Sequence, residues 1–263
     1  MSDPSNDAYT PAKMAELVEN VGVKKAALRT FPTLMLGLLA GVFIAFGAMF
    51  YTLVITNQYM GLGSTRLLGG IAFSLGLILV VVGGAELFTG NNLIVMAWAD
   101  KKITTIKLLK NWSLVYFANL IGAVGAAVLV YWSGTLSLGD GAVSETALEI
   151  AITKVNLDPM QAFIRGILCN VLVCLAVWLC FSARDVSGKI LAIIFPISAF
   201  VALGFEHSVA NMYFIPLGML ISNGGVGVLD FLGNLIPVTL GNIVGGGVFV
   251  ALVYWAVYLR NYD

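Results

Sequence analysis

The chain contains a single histidine, which lies inside a long apolar run. His207 directly follows Glu206, and Asn211 comes four residues later. An ionisable side chain at membrane depth is by default a candidate functional group, and imidazole changes its charge near neutral pH. These residue types predict proton donation or hydrogen bonding to a small polar permeant. The alternative is a structural histidine with satisfied hydrogen bonds.

A matching polar motif interrupts an earlier apolar run. The pattern Gly-x-Glu with an Asn five residues after the Glu occurs at 84–91 and again at 204–211, an offset of 204 minus 84, or 120 residues. Thr89 in the first motif carries a hydroxyl that can donate to an anion or accept from an imidazolium. We therefore expect Thr89 and His207 to bracket the permeant.

Each motif also has a glutamate where a new helical segment is expected to begin. A carboxylate at a helix start can accept hydrogen bonds from the free backbone amides, and it interacts favourably with the helix dipole. We interpret Glu86 and Glu206 as structural caps, with permeant contact as the alternative. The amides of the same helix starts add positive potential for an anion.

Composition places the chain in a membrane. The 263 residues are 59% hydrophobic and only 11% charged, against roughly 25% charged in soluble domains. Basic and acidic residues balance at 14 each, which leaves no net field for binding nucleic acid. Cys169, Cys174 and Cys180 have neither zinc-site nor redox-pair spacing, so we expect packing roles, no metal and no cofactor.

Six apolar segments have the length of membrane spans. Two of them, about Leu67 to Trp98 and Ile190 to Ile221, have 32 residues each, or roughly 48 Å of straight helix against a hydrocarbon core of about 30 Å. These two contain the polar motifs and are predicted to be interrupted helices facing an interior pathway. The four plain spans cover about Leu34 to Thr56, Trp112 to Trp132, Ala162 to Ser182 and Leu235 to Leu259.

Charge and repetition together predict the topology. Lysine and arginine concentrate before the first and third spans and between the fourth and fifth, which are the sides expected in the cytoplasm. Because each repeat has three spans, the second must be inverted. We predict an all-α polytopic membrane protein with six spans, two of them interrupted helices, in an inverted 3+3 repeat, about 32–133 and 160–260. A cytoplasmic segment, 1–31, would precede a single channel domain, 32–263, with both termini cytoplasmic.

Three segments of the sequence carry a family resemblance. They are Glu86-Leu-Phe-Thr-Gly90, Gly204-Phe-Glu-His-Ser-Val-Ala-Asn211 and Ile236-Pro-Val-Thr-Leu-Gly-Asn242. They resemble the formate/nitrite transporter family. The resemblance implies an aquaporin-like protomer and a homopentamer in the bacterial inner membrane, with one pore per protomer. It implies passage of small monovalent anions such as formate, nitrite or hydrosulfide, with protons and membrane lipid as further partners.

The resemblance also implies residue roles. Thr89 and His207 would be the central pair, Asn170 and Asn242 would line the centre, and Lys154 would concentrate anions in the outer vestibule. Two apolar constrictions would flank the centre. The cytoplasmic one would comprise Leu77, Leu87 and Phe200, and the periplasmic one Phe73, Phe88 and Val173.

The permeant is less sharply indicated than the family. Phe214-Ile-Pro216 and Ile236-Pro237 resemble formate-type members, whereas Phe-Thr-Gly in the first motif resembles nitrite-type members. Of these permeants we expect formate foremost. Glu86, where formate channels often have Asp, leaves hydrosulfide open. An aquaporin-type neutral solute channel is disfavoured because Asn-Pro-Ala signatures are absent. An intramembrane protease is disfavoured because Ser208 lacks a Gly-x-Ser-Gly context.

Overall fold

A computed structural model describes residues 8–57 and 59–260. Position 58, residues 1–7 of the predicted N-terminal segment and residues 261–263 of the predicted channel domain lie outside the described residues. Short 3-10 helices cover Gly90–Ile94 and Thr135–Ser137, and a π-helix covers Val244–Leu252. The α-helices are α1 (Pro11–Ala26), α2 (Thr30–Ile55), α3 (Leu62–Gly83), α4 (Val95–Ala99), α5 (Thr105–Trp132), α6 (Ala142–Val155), α7 (Pro159–Ser182), α8 (Val186–Ala202), α9 (Ser208–Ile221), α10 (Val228–Ile243) and α11 (Val253–Tyr258).

Five helical stretches of the described chain are long and apolar enough to cross a membrane. They are α2, α3, α5, α7 and the continuous stretch Val228–Tyr258, while α8 and α9 are shorter apolar helices. α5 begins at Thr105, one to two turns before the predicted start, because the Thr104 side chain caps it by accepting from the N–H of Lys107. Its polar first turns lie outside the apolar pattern used to predict spans.

Both predicted interruptions are present. α3 ends at Gly83 and is followed by Gly84 at φ +81°, and α8 ends at Ala202, two residues before Gly204 at φ +71°. Left-handed backbone of this kind stops an α-helix and is accessible to glycine at little cost. The chain then re-enters helical structure at Gly90–Ile94 and at α9.

Glycines bring two pairs of helices into close contact. A Cβ at Gly41 of α2 would lie 2.2 Å from the carbonyl oxygen of Asn119 in α5. A Cβ at Gly241 of α10 would lie 2.2 Å from the carbonyl oxygen of Phe163 in α7. Small residues at such positions let helix backbones approach in a bilayer, and here they bring α5 and α10 close to the interruptions.

Two helices lie in segments that the apolar pattern left unassigned. α1 starts with Thr10 as N-cap and Pro11 at its first position, and it buries Met14 and Val18. It therefore docks on the helical body instead of extending away as a polar segment. α6 lies in the predicted connection 134–158, packs against α9 and carries Lys154 in its last turn.

Candidate functional site

Asn119 on α5 supports the first interruption. Its Nδ2 donates to the carbonyl oxygens of Gly37 at 2.7 Å and Glu86 at 2.9 Å. Its Oδ1 accepts from the N–H of Phe88 at 2.9 Å. A buried break in a helix leaves backbone groups without partners, and this fully buried amide satisfies two of those groups, at Glu86 and Phe88, while it also binds α2 through Gly37.

Asn242 on α10 makes the same three contacts at the second interruption. Its Nδ2 donates to the carbonyl oxygens of Gly166 at 2.8 Å and Glu206 at 3.0 Å, and its Oδ1 accepts from the N–H of Ser208 at 2.9 Å. Asn242 was expected to line the pathway. Instead, the Asn242 side-chain amide forms all three of these hydrogen bonds with backbone groups, and Asn242 lines neither of the two cavities described below.

A lysine from α1 binds the first carboxylate. Lys25 Nζ donates to Glu86 Oε1 at 2.8 Å and to Asn91 Oδ1 at 2.9 Å. The Asn91 amide in turn donates to Glu86 Oε2 at 2.7 Å and to Asn111 Oδ1 at 3.0 Å. Every polar side-chain atom of the buried Glu86 and Asn91 therefore has a hydrogen-bond partner, and Lys25 supplies the counter-charge from the edge of the cluster.

The second carboxylate has an equivalent cluster with one difference. Lys154 Nζ donates to both oxygens of Glu206, at 2.9 and 3.1 Å. Asn211 donates to Glu206 Oε2 and to Asn234 Oδ1, at 2.7 Å each. The Oδ1 of Asn211 has no hydrogen-bond partner among the described residues, whereas the matching oxygen of Asn91 binds lysine.

These clusters change the roles expected for three residues. Glu86 and Glu206 were expected to cap backbone amides, but their side chains bind lysine and asparagine side chains. Lys154 was expected to act as a vestibule charge, yet its side chain is only 13% exposed and is paired with Glu206. The physical reason is the same in each case, because a charge buried in apolar surroundings needs a counter-charge nearby.

His207 and Thr89 are in direct contact. The Thr89 Oγ1 and His207 Nε2 atoms are 2.9 Å apart, and both side chains are buried. His207 Nδ1 accepts from the N–H of Ala210 at 3.0 Å, so the imidazole is the N-cap of α9. Its ring also stacks on Phe200, with centroids 6.0 Å apart and planes at 21°.

Asn170 holds the backbone behind this pair. Its Nδ2 lies 3.2 Å from the carbonyl oxygen of Thr89, 2.8 Å from Asn92 Oδ1 and 2.7 Å from the carbonyl oxygen of Asn242. Asn170 therefore links the first interruption to α10, whose Asn242 side chain supports the second. Its Oδ1 is buried and has no partner within the described chain.

Two separate cavities are lined in part by residues of the two interruptions. The α1-side cavity, about 340 Å³, is lined by Lys25, Glu86, Leu77 and Leu87 among others. The α6-side cavity, about 380 Å³, reaches His207. No described residue lines both cavities, and we call the apolar division between them, with Leu77 on one side and Phe73 on the other, the barrier.

The aromatic side of the barrier differs from the predicted grouping. Phe200 was grouped with Leu77 and Leu87, but it packs edge-to-face on Phe73 with centroids 5.6 Å apart, and both phenylalanines line the α6-side cavity. Phe73 and Leu77 are four residues, or about one helical turn, apart on α3, and they lie on opposite sides of the barrier.

The other two predicted constriction residues line neither cavity. Phe88 packs edge-to-face on Tyr116 at 4.9 Å and on Trp112 at 6.1 Å, both on α5. Val173 is buried on α7. Their place in a constriction stays a prediction.

Sequence reasoning missed Lys25, Asn111 and Asn234 as members of the site. Asn119 did carry a signal in the sequence, because it precedes Val130-Tyr131-Trp132 at the same spacing at which Asn242 precedes Val253-Tyr254-Trp255. Lys25 gave no such signal, since it stands in the polar segment before the first span.

Comparison with known proteins was made over the whole chain. The family model described as formate/nitrite transporter matches residues 12–256. The formate channel FocA of Escherichia coli K12 is 43% identical and covers 100% of this chain and 99% of its own length. The formate channel BtFdhC of Bacillus thuringiensis is 39% identical, with coverages of 97% and 98%.

Solved structures agree with these matches. A structure described as a pentameric formate channel with formate bound has a TM-score of 0.82 at 41% identity and covers 88% of this chain and 98% of that chain. An FNT family ion channel has a TM-score of 0.85 at 28% identity, with coverages of 93% and 98%. Whole-chain family coverage and the shared fold show that the protein belongs to the formate/nitrite transporter family, whose members are channels and transporters rather than enzymes.

Proposed function

We propose that the chain conducts small monovalent anions, formate foremost, through a pore in each protomer of a homopentamer in the bacterial inner membrane. The observation that carries the proposal is the Thr89–His207 hydrogen bond beside the apolar barrier between two cavities. The names of the FocA relatives and of the pentameric formate channel support both the permeant and the assembly.

The proposed topology has six spans. The segments α3 to α4 and α8 to α9 each count as one interrupted span, and the halves 32–133 and 160–260 form an inverted 3+3 repeat within one domain, 32–263. The identical contacts of Asn119 and Asn242 support this symmetry. The segment 1–31, with α1, and the C-terminus would lie in the cytoplasm, in line with the lysines before the first and third spans.

The hydrogen bonds suggest what the central pair offers an anion. A backbone N–H can only donate, so Nδ1 of His207 accepts from Ala210 and a neutral imidazole carries its proton on Nε2. Nε2–H then donates to Thr89 Oγ1, which leaves the hydroxyl hydrogen free. That hydrogen can bind an oxygen of formate where water is excluded.

A charged permeant meets a large desolvation penalty at the barrier. Because transfer of an unpaired charge into apolar surroundings is costly, neutral formic acid would cross more easily than formate. We propose that His207 couples passage to protonation, with Thr89 holding the imidazole in place.

An uptake panel tests the proposal. Purified protein in liposomes should take up formate faster than protein-free liposomes do, with slower or no uptake of lactate and no increase in osmotic water flux. Faster nitrite or hydrosulfide uptake with little formate uptake would favour the alternative permeants of the same family. Water flux without anion uptake would favour the more distant alternative, an aquaporin-type channel. Cross-linking to a pentamer and activity of a C-terminal cytoplasmic reporter test the assembly and the topology.

A further inference from the structure

The α6-side cavity carries an excess of positive charge. Its wall includes the cations Arg66, Lys154 and Arg165 and the anions Glu149 and Glu206, a difference of 3 minus 2, or +1. Lys154 and Glu206 neutralise each other. The remaining charges are two arginines and Glu149, and none of these three forms an ion pair with a described residue.

The two arginines converge on one turn of backbone. Arg66, near the start of α3, donates from Nη1 to the carbonyl oxygen of Ala202 at 3.1 Å. Arg165, on α7, has its Nη1 3.5 Å from the carbonyl oxygen of Gly204. These carbonyls lie at the C-terminus of α8, two residues apart, so two guanidinium groups stand close together on the cavity wall.

One structural role accounts for part of this arrangement. A cation at a helix C-terminus is favoured by the dipole, and it can bind the last carbonyls. Each guanidinium has five N–H donors and uses one of them on the α8 terminus. The two guanidinium groups also carry like charges, which repel each other at close range unless an anion lies between them. Guanidinium groups bind carboxylates through two parallel hydrogen bonds, which matches the shape of formate.

We propose that Arg66 and Arg165 form an entry site for a small oxyanion in the α6-side cavity, ahead of His207. The inference rests on the proposed anion conduction and assigns to these arginines the recruiting role expected of Lys154. Formate held at this site lies in the same cavity as Phe200 and His207. The arginines therefore raise the local concentration of formate next to the barrier.

The test measures initial formate uptake into proteoliposomes against formate concentration. The double variant Arg66→Gln with Arg165→Gln keeps N–H donors for the α8 carbonyls but removes both charges. We expect its half-saturating concentration to rise roughly ten-fold at low ionic strength, with the maximal rate unchanged. High salt should reduce this rise in the half-saturating concentration. Lysine at both positions should return the half-saturating concentration most of the way to the wild-type value.

Two further variants make the result specific to this wall. Glu149→Gln removes the opposing charge from the same cavity and should lower the half-saturating concentration. Lys110→Gln removes the charge of an exposed residue that lines neither cavity, so it should leave the half-saturating concentration unchanged. If the double variant does not elute as an assembled oligomer, the single Gln variants carry the same test.

An unchanged half-saturating concentration in assembled Gln variants overturns the entry site, even where wild type conducts formate. A changed thermal stability with unchanged uptake assigns the arginines to capping α8 alone. Absence of formate uptake by wild type contradicts the proposed function itself, so the two failures are distinguishable.

Discussion

Nδ1 of His207 accepts a hydrogen bond from the backbone N–H of Ala210 at 3.0 Å. An imidazolium carries protons on both nitrogens, so in this rotamer a charged His207 would set an N–H against the N–H of Ala210. Charging the ring and capping α9 therefore exclude each other. Any proton that His207 lends to a permeant is coupled to movement at the start of α9.

Replacing His207 by Asn tests the protonation step. Asn is a preferred N-cap, so its Oδ1 can accept from Ala210 and preserve the fold, but it cannot carry a proton. We expect His207→Asn to assemble normally and to lose the pH dependence of formate uptake between about pH 5 and 7. Uptake is measured in proteoliposomes over that range.

Thr89→Val is the matched control, because it keeps the shape of the side chain and the histidine but deletes the hydroxyl. It should lower uptake while keeping its pH dependence. If assembled His207→Asn responds to pH as wild type does, His207 acts only as a hydrogen-bond donor.

The burial of Lys154 predicts a stability defect in place of an electrostatic steering defect. Lys154→Ala leaves the Glu206 side chain, which is 5% exposed, without its counter-charge. Loss of one partner from a buried pair costs about 3–5 kcal/mol, so the detergent-solubilised protein should melt at a clearly lower temperature. Lys154→Met combined with Glu206→Gln removes both charges and should recover most of the loss. A Lys154→Ala variant with wild-type melting and salt-dependent uptake would instead identify Lys154 as a free vestibule charge.

Three glycine-to-alanine variants should differ in thermal stability, with Gly204→Ala the least stable, Gly84→Ala intermediate and Gly63→Ala the most stable. Gly84 has open space around it and φ +81°, so alanine there costs only the left-handed strain of about 1–2 kcal/mol. Gly204, at φ +71°, adds a contact, since its Cβ would lie 3.1 Å from Arg66 Nη1. Gly63 has open space and ordinary helical backbone, so Gly63→Ala should be neutral. Thermal unfolding gives the order, and a Gly204→Ala variant as stable as Gly63→Ala would contradict the backbone argument.

Docking of α1 should depend on pH through Glu19. Burial raises the pKa of this carboxyl above its usual 4.5, although a hydrogen bond from Lys102 acts in the other direction. A carboxyl with a raised pKa stabilises the docked state below its ordinary pKa, and that contribution is lost as pH rises through the raised value. Lys102, whose pKa is raised by the bond to Glu19, stays charged throughout this range.

Hydrogen exchange of α1 measures this dependence. After correction for intrinsic rates, amides of 11–26 should be better protected near pH 4.5 than at neutrality. Glu19→Gln keeps a hydrogen-bonding side chain without the charge and should abolish the difference. Equal protection of wild type at both pH values would show that Glu19 does not control docking.

Local patterns were enough to predict the interruptions but not the contacts around them. The overlong apolar runs and Gly84 and Gly204 within them are signals read along the chain. The partner of Glu86 is Lys25, 61 residues away, and nothing in the sequence near either residue encodes that distance. The contact between Phe200 and Phe73 was not predicted for the same reason, because it joins α3 to α8.

The predicted roles of buried polar residues were least secure. An asparagine at membrane depth can face a permeant or satisfy broken backbone, and residue type does not distinguish these uses. Asn119 and Asn242 bind three backbone groups each, which becomes visible only when the interruptions and the crossing helices are placed together.

The barrier between the cavities has an electrical consequence. If both cavities fill with conducting solution, most of the membrane voltage falls across the barrier between Phe73 and Leu77. A formate ion then crosses that voltage in a single step, worth about 2.3 kcal/mol per 100 mV, whereas formic acid crosses with no electrical work. The ratio of current to chemical flux would therefore report which of the two species passes between Phe73 and Leu77.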